Sequence, residues 1–145
     1  MSIAGLLDNY DKPWANVYVN NVNLPTTTPT AGSIIVNGNP VLSAPSPSTI
    51  FLGQNAGNTN YTNNNTGVGN NSLRNVSGGQ NTCIGMESGV DIVNGANNVC
   101  IGYSAGQNLV AGESNNIIIS NNATAGDNGQ IKIGTQGLHT QGRIT

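Results

Sequence analysis

One short pattern recurs along the second two thirds of this chain and constrains its fold more than any other feature. Each copy has an apolar or threonine residue, a variable residue, an aliphatic residue and a glycine, usually followed three residues later by Ala or Ser. The clearest copies are NTCIGMESG at 81–89 and NVCIGYSAG at 98–106. The glycine position, taken by Ser120 in one copy, falls at 53, 69, 85, 102, 120 and 134, in steps of 16, 16, 17, 18 and 14 residues. A repeat of this length predicts a solenoid in which every copy forms one coil.

The three residues before each glycine alternate as in a short β-strand. We expect the first and third of them, such as Ile50 and Leu52, to point into the coil, and the middle one to point away from it. Glycine then allows a sharp corner, because it adopts positive φ at little cost. The predicted corner glycines are Gly53, Gly69, Gly85, Gly102 and Gly134.

A second apolar residue follows about seven residues after the glycine, at Val76, Ile92 or Leu109, and indicates a second short strand in each coil. Glycine at this frequency disfavours a helical repeat. The predicted fold class is therefore all-β, a parallel β-solenoid with coils of about 16 residues.

An asparagine precedes each of four predicted strands, at Asn65, Asn81, Asn98 and Asn116. Two interpretations fit this recurrence equally well. The side chains form a ladder of amides that are hydrogen-bonded along the stack, or the asparagines only supply turns.

The middle strand positions hold mostly apolar or small residues, although we expect them to face outward. An exposed apolar column on a soluble chain indicates a partner surface. Because every coil repeats the column, we expect the partner to be another copy of the chain, most simply in a homotrimer. The predicted oligomer interface consists of Phe51, Cys83, Cys100 and Ile118. We expect the two cysteines to be small packing residues in adjacent coils rather than a disulfide or a metal site.

The composition excludes several classes of protein. Only 7% of the residues are charged, and four Lys and Arg provide no basic surface for a nucleic-acid backbone. No apolar run approaches the roughly 20 residues of a membrane span, and the N-terminus lacks the basic region of a secretory signal. A disordered polar linker is the alternative for a chain with 26 Asn and 20 Gly. The regular period and apolar clusters such as Ser33-Ile34-Ile35-Val36 disfavour that alternative.

Residues that carry chemistry are sparse. His139 is the one histidine, and no carboxylate or cysteine lies in a motif with it, so we expect it in an exposed loop or tail. Glu87 and Asp91 lie on loops of one predicted coil, but the acidic residues lack the spacing of a calcium loop. The sequence therefore predicts no catalytic residue, no metal site, no cofactor and no enzyme activity.

The stretches NTCIGMESG and NNVCIGYSAG resemble repeats in the head domains of trimeric autotransporter adhesins, and more closely those of bacteriophage and giant-virus fibre proteins. ESNNIIIS and GQIKIGTQGLHTQ resemble the end of such fibre bodies, and DKPWANVYVNNVNL resembles a segment near the start of fibre repeats. The resemblance covers residues 8–24 and 49–141 and implies a left-handed trimeric β-roll. Fibre bodies of this kind often lead into a C-terminal intramolecular chaperone, which we expect either to be removed after assembly or not to be needed here.

Four segments are predicted along the chain. Residues 1–31 form an attachment segment, which docks on a base, capsid or tail protein or packs on its own trimer. Residues 32–48 form a short hairpin and a Pro/Ser spacer, 49–138 the solenoid, and 139–145 a C-terminal tail. The predicted anchor residues are Ile3, Leu6, Leu7 and Trp14.

These features predict a structural, non-enzymatic fibre or appendage protein of a virus or phage: a homotrimer that projects a rigid β-solenoid from a base. We expect it on the virion surface or in a tail appendage, or alternatively on a bacterial cell surface. The alternative function is a receptor-binding or adhesive module that recognises a host glycan or protein through several weak contacts. An ice- or mineral-binding solenoid would need a flat exposed row of threonines, which the mixed predicted surface does not provide. We expect neither nucleic-acid binding nor membrane insertion.

Overall fold

The computed structural model of the chain describes residues 33–36, 39–46, 48–57, 64–135 and 137–139. These residues form eight β-strands and no helix. The predicted attachment segment with its anchors Ile3, Leu6, Leu7 and Trp14 lies outside the described residues. The strands are β1 (Ser33–Val36), β2 (Asn39–Ser46), β3 (Thr49–Leu52), β4 (Thr66–Val68), β5 (Thr82–Ile84), β6 (Val99–Ile101), β7 (Ile117–Ile119) and β8 (Ile131–Ile133).

Strands β3 to β8 stack in sequence order as a parallel β-solenoid. Each strand pairs in register with the next, so that Phe51 lies beside Gly67, and Cys83 beside Cys100. The same register continues through all five parallel pairings. The predicted all-β parallel solenoid is confirmed, because each repeat contributes one rung at the same position.

A hairpin precedes the solenoid. Strands β1 and β2 pair antiparallel on either side of residues 37–38, and β2 pairs antiparallel with β3. Both pairings contain a shift of register, and β2 contains Pro40 and Pro45. Proline within a sheet typically occurs at such irregularities. The segment predicted as a Pro/Ser spacer is therefore largely a strand of the same sheet.

The direction in which the strand residues point is opposite to the prediction. Phe51, Cys83, Cys100 and Ile118, predicted to face a partner, are at most 2% exposed and form the core of the single chain. Their neighbours point outward instead: Ile50 and Leu52, expected inside, are 47% and 43% exposed. The inward direction of the middle residue follows from the limited space inside the coil, because so thin a coil accommodates one side chain per strand and not two.

In four of the coils, side-chain size is compensated between the middle strand residue and the residue six positions later. Where the strand supplies Cys83 or Cys100, the opposing residue is Gly89 or Gly106, and a Cβ there would lie 2.6 or 2.4 Å from the thiol sulfur. Phe51 covers Gly57 in the same way. Where the strand supplies Gly67, the opposing residue is instead Leu73, fully buried. The interior of each of these coils is thus filled by one side chain, which comes either from the strand or from the opposing residue.

The opposite side of the coil is also buried, but it is not a strand. Val76, Ile92 and Leu109 are fully buried, as expected for inward residues. The segments around them form turns, so the predicted second strand is wrong. Coils are nevertheless hydrogen-bonded on this side, for example from the Leu73 N–H to the Ser88 carbonyl at 3.0 Å. Positive φ values, such as 50° at Leu73, explain the difference, because an extended strand cannot contain them.

Glycines turn the chain directly after five of the six solenoid strands, and Ser120, with φ of 50°, does so after β7. Gly53, Gly69, Gly85 and Gly102 have φ between 118° and 134°, and Gly134 has φ of 78°. A Cβ at Gly85 would lie 2.4 Å from the carbonyl oxygen of Gly102 in the next coil. The corners at Gly53, Gly69 and Gly85 therefore need glycine both for backbone conformation and for the close approach of the next coil.

The four asparagines that precede the strands form a buried ladder. In Asn98, Nδ2 donates to Asn81 Oδ1 at 3.1 Å and to the Glu113 carbonyl at 2.8 Å, and Oδ1 accepts from the N–H of Asn116 at 3.1 Å. The same contacts recur from Asn65 to Asn116, and all four side chains are fully buried. Of the two interpretations, the ladder is the one found in the structure.

Candidate interaction surface

The outward side chains of strands β3 to β8 form a continuous surface two side chains wide, which we call the strand face. Strand pairing places equivalent residues directly above one another. The first column is Ile50, Thr66, Thr82, Val99, Ile117 and Ile131. The second column is Leu52, Val68, Ile84, Ile101, Ile119 and Ile133.

The strand face is apolar and open to solvent in the single chain. Ile84 and Ile101 are 41% and 38% exposed, and Ile131 and Ile133 on the last strand are each 70% exposed. Ten of its twelve residues are aliphatic, and the two others are threonines. Monomeric proteins rarely expose so continuous an apolar surface without a partner.

Polar corners border the strand face on both sides. After the strands, Asn70 Nδ2 donates to Gln54 Oε1 at 3.2 Å, and before them Asn97 Nδ2 donates to Asn115 Oδ1 at 3.2 Å. These exposed amides link adjacent coils. An apolar centre between polar edges is the usual organisation of a protein–protein interface.

Two large exposed residues continue the row that begins with Gln54 and Asn70. Met86 and Tyr103 occupy the position after the corner glycine and are 48% and 66% exposed. They lie beside the strand face and not on it, so this edge offers a separate contact surface.

The interface residues predicted from sequence do not lie on the strand face. Phe51, Cys83, Cys100 and Ile118 are inside the coil, and the flanking columns take their place as the candidate surface. The sequence contains one signal for this arrangement, which is Gly67 in the middle column. A glycine would interrupt an exposed apolar column, whereas the second flanking column is aliphatic in every coil.

Charged groups replace the apolar core at the last coil. Lys132, in the middle of β8, pairs with Asp127 and donates to Thr124 Oγ1 at 3.0 Å. Glu113, 6% exposed, accepts from the N–H groups of Ala111 and Gly126 at 2.7 and 2.9 Å. Terminal coils of solenoids need polar ends of this kind.

The pKa values of both carboxyls are lowered. Burial alone would raise the pKa of Glu113, but the N–H donors of Gly126 and Ala111 outweigh it. Burial likewise opposes ionisation of Asp127, and the hydrogen bond from Lys132 lowers its pKa. Both groups are therefore ionised at the end of the solenoid, where Asp127 pairs with Lys132 and Glu113 accepts backbone hydrogen bonds.

The described residues hold no group of three or more His, Cys, Asp or Glu side chains with the geometry of a metal site. His139 is exposed, and its Nδ1 accepts from the Thr135 N–H at 2.8 Å. Glu87 Oε2 accepts from Ser104 Oγ at 3.4 Å, and Asp91 Oδ1 from Asn75 Nδ2 at 2.9 Å. The acidic pair of this coil is thus engaged with polar neighbours in the adjacent coils.

Among the residues that the structure describes, no helix has the length and apolarity to cross a bilayer. Comparison of the chain with protein-family models, with curated proteins and with solved structures gave no match. The candidate surface therefore has to be interpreted from its own geometry.

Proposed function

We propose that this chain is a structural, non-enzymatic fibre or appendage protein of a virus or phage. Three copies pack their strand faces around a common axis, each as a left-handed β-roll, and project from a base through the N-terminal segment. The observation that carries this proposal is the apolar strand face, which runs without interruption in the second column from Leu52 to Ile133.

The periodicity of the strand face favours copies of the same chain as the partner. Its rungs repeat at the spacing of paired strands, about 4.8 Å. A surface with the same repeat can contact it along its whole length, and the chain itself carries that repeat. Identical subunits in a closed ring then cover every strand face at once.

The width of the strand face favours three copies over two. Each strand contributes two outward side chains, such as Ile84 and Thr82. A strand face this narrow buries little area against one opposing strand face. Three strand faces that converge on one axis enclose a shared apolar core and leave the polar corners exposed to solvent. An elongated structural rod requires such a buried core and polar surface.

A rod is also consistent with the remaining surface, which offers few groups for catalysis. The corner rows are amides such as Gln54 and Asn70, bonded to one another between coils. The ladder of buried asparagines ties each coil to the next. These contacts stiffen the stack along its axis, which is the mechanical property that a fibre needs.

Electron microscopy of native particles labelled with an antibody against residues 64–135 tests the proposal. We expect label on appendages at the particle surface, and rods in images of the purified protein. Label confined to the particle interior, or its absence from particles, would contradict the proposed function.

The alternative function, a receptor-binding or adhesive module, is favoured by one observation. Met86 and Tyr103 stand exposed at equivalent positions of adjacent coils, outside the strand face. Three copies would present three such edges, so that weak contacts with a host glycan or protein add up through avidity. Binding of the intact protein to cells or glycan arrays, lost in Tyr103→Ser, would support this role; unchanged binding by that variant would exclude this edge as the receptor site.

A further inference from the structure

We propose that Thr66 and Thr82 set the axial register in which copies of this chain associate. This inference rests on the proposed homotrimer. It addresses a problem that the strand face creates, because a surface that repeats in every coil can be matched to itself in several alignments.

The problem follows from the regularity of the columns. The second column offers an aliphatic side chain in every coil from Leu52 to Ile133, so a copy displaced by one rung meets the same chemistry. Only the end rung is left uncovered by such a displacement. An aliphatic column alone therefore discriminates weakly between alignments.

The first column breaks this uniformity at two adjacent rungs. Thr66 and Thr82 are neighbours in register, with Ile50 on one side and Val99 on the other. All three of Thr66, Thr82 and Val99 are half-buried in the single chain. The column thus contains one short polar segment at a defined height.

When the copies are aligned, threonine hydroxyls at the same height can form hydrogen bonds with one another. Around a three-fold axis, each hydroxyl can donate to the next and accept from the previous one, which closes a ring. A shift by one rung places Thr82 of one copy against Val99 of its neighbour, and Thr66 of that neighbour against Ile50 of the first copy. A hydroxyl buried against an aliphatic side chain loses its hydrogen bonds, which is costly. Single polar positions in apolar seams fix register in coiled coils for the same reason.

The test moves the two threonines two rungs apart without changing composition. In the variant T82V/V99T, the threonines lie at 66 and 99, and the chain keeps the mass of the wild type. No axial shift aligns both of them with Thr66 and Thr82 of the wild type. Tagged wild type is refolded together with untagged variant, and the trimers are counted by native mass spectrometry. Tagged and untagged wild type, refolded together, provide the matched control.

We expect the control to give random proportions of mixed trimers. In the wild-type and T82V/V99T mixture, every alignment leaves one or more hydroxyls unpaired, so we expect mixed trimers at least about tenfold below random. Random mixing would overturn the register proposal while leaving the trimer intact. A wild-type protein with the mass of one chain would instead overturn the proposed function itself.

A second variant protects the test against failure of the first to assemble. T66V/T82V removes both hydroxyls while keeping the branched shape of the side chains. Its homotrimers should form, and its mixed trimers with wild type should again be depleted, because threonines then face valines. Random mixing of this variant would also contradict the proposal.

Discussion

Glycine at three of the corners, Gly53, Gly69 and Gly85, lets adjacent backbones approach more closely than any side chain would allow. Gly85 combines φ of 134° with a Cβ position 2.4 Å from the Gly102 carbonyl oxygen. Both the conformation and the contact have to change if a methyl group is added there.

We therefore expect Gly85→Ala to lower the free energy of unfolding by about 3 kcal/mol or more. Chemical denaturation measures the change. The matched control is Gly112→Ala, where a Cβ would meet nothing within 4 Å, and where we expect no loss. Equal stability of the two variants would contradict the close approach of the coils.

The buried asparagine ladder is the second feature at this scale. Asn98→Ala leaves the Glu113 carbonyl without a donor and the Asn116 N–H without an acceptor. We expect a loss of about 3 kcal/mol, because buried polar groups without partners are destabilising. Asn94→Ala, in the same coil but exposed, should change stability by less than about 0.5 kcal/mol. A small effect at Asn98 would exclude the ladder as a main source of stability.

The inward direction of the middle strand residues can be tested through the thiols. Cys83 and Cys100 are fully buried, and burial, together with the neighbouring Cys100 side chain, raises the pKa of Cys83. We expect a thiol reagent to label neither cysteine until the protein unfolds. Val110→Cys, at a position 48% exposed, should be labelled at once. Rapid labelling of the native wild type would mean that the middle column faces outward after all.

At the scale of elements, the last coil differs from the others because its inward strand residue is charged. Lys132 occupies the position held by Ile118 in the coil before and pairs with Asp127. Glu113 accepts a hydrogen bond from the N–H of Gly126, next to Asp127. The ionised carboxylates of Asp127 and Glu113 thus stabilise the terminal coil through hydrogen bonds and an ion pair.

This arrangement predicts a loss of stability in acid. The folded pKa values of Glu113 and Asp127 lie below their ordinary values, so both groups stabilise the fold above about pH 4. That contribution disappears as the pH falls from there through the folded pKa values. We expect the thermal midpoint to drop below pH 4 in the wild type, and to drop less in Glu113→Gln/Asp127→Asn. An identical pH profile for the two proteins would contradict the role of these carboxylates.

The sequence predicts the positions of the solenoid strands but not the direction of their side chains. The period and the glycines are local signals, so the rungs β3 to β8 could be predicted with their positions. The direction of a three-residue strand could not, because Ile50, Phe51 and Leu52 are all apolar and alternation does not say which set is inside. The size exchange between Gly67 and Leu73 contains that information, but it becomes visible only when residues six positions apart are seen to share one space.

The second side of the coil was mispredicted for a related reason. Val76, Ile92 and Leu109 have the hydrophobicity of strand residues. Their neighbours Leu73 and Asn71 adopt positive φ. Asparagine adopts this conformation more readily than most residues, but nothing in the residue type predicts it for a leucine. The strand face cannot be predicted for the other reason, because alternation does not say whether Ile50 and Leu52 point inward or outward.

At the scale of the whole molecule, the coils form a stack whose interior is filled and whose strand face is not covered. The interior needs nothing from a partner, because Phe51, Leu73, Ile92 and Ile118 already fill it. The uncovered columns are what the proposed trimer would bury. In the proposed trimer, association would therefore depend on Ile101 and its equivalents, and not on the buried middle column.

Sedimentation equilibrium of the intact protein at micromolar concentration tests this dependence most directly. We expect three times the chain mass of 14.8 kDa for the wild type, a single-chain mass for Ile101→Lys on the strand face, and the trimer mass for the control Val110→Lys on another exposed surface. A single-chain mass for the wild type, or a trimer that survives Ile101→Lys, would contradict the strand face as the surface through which copies of this chain associate.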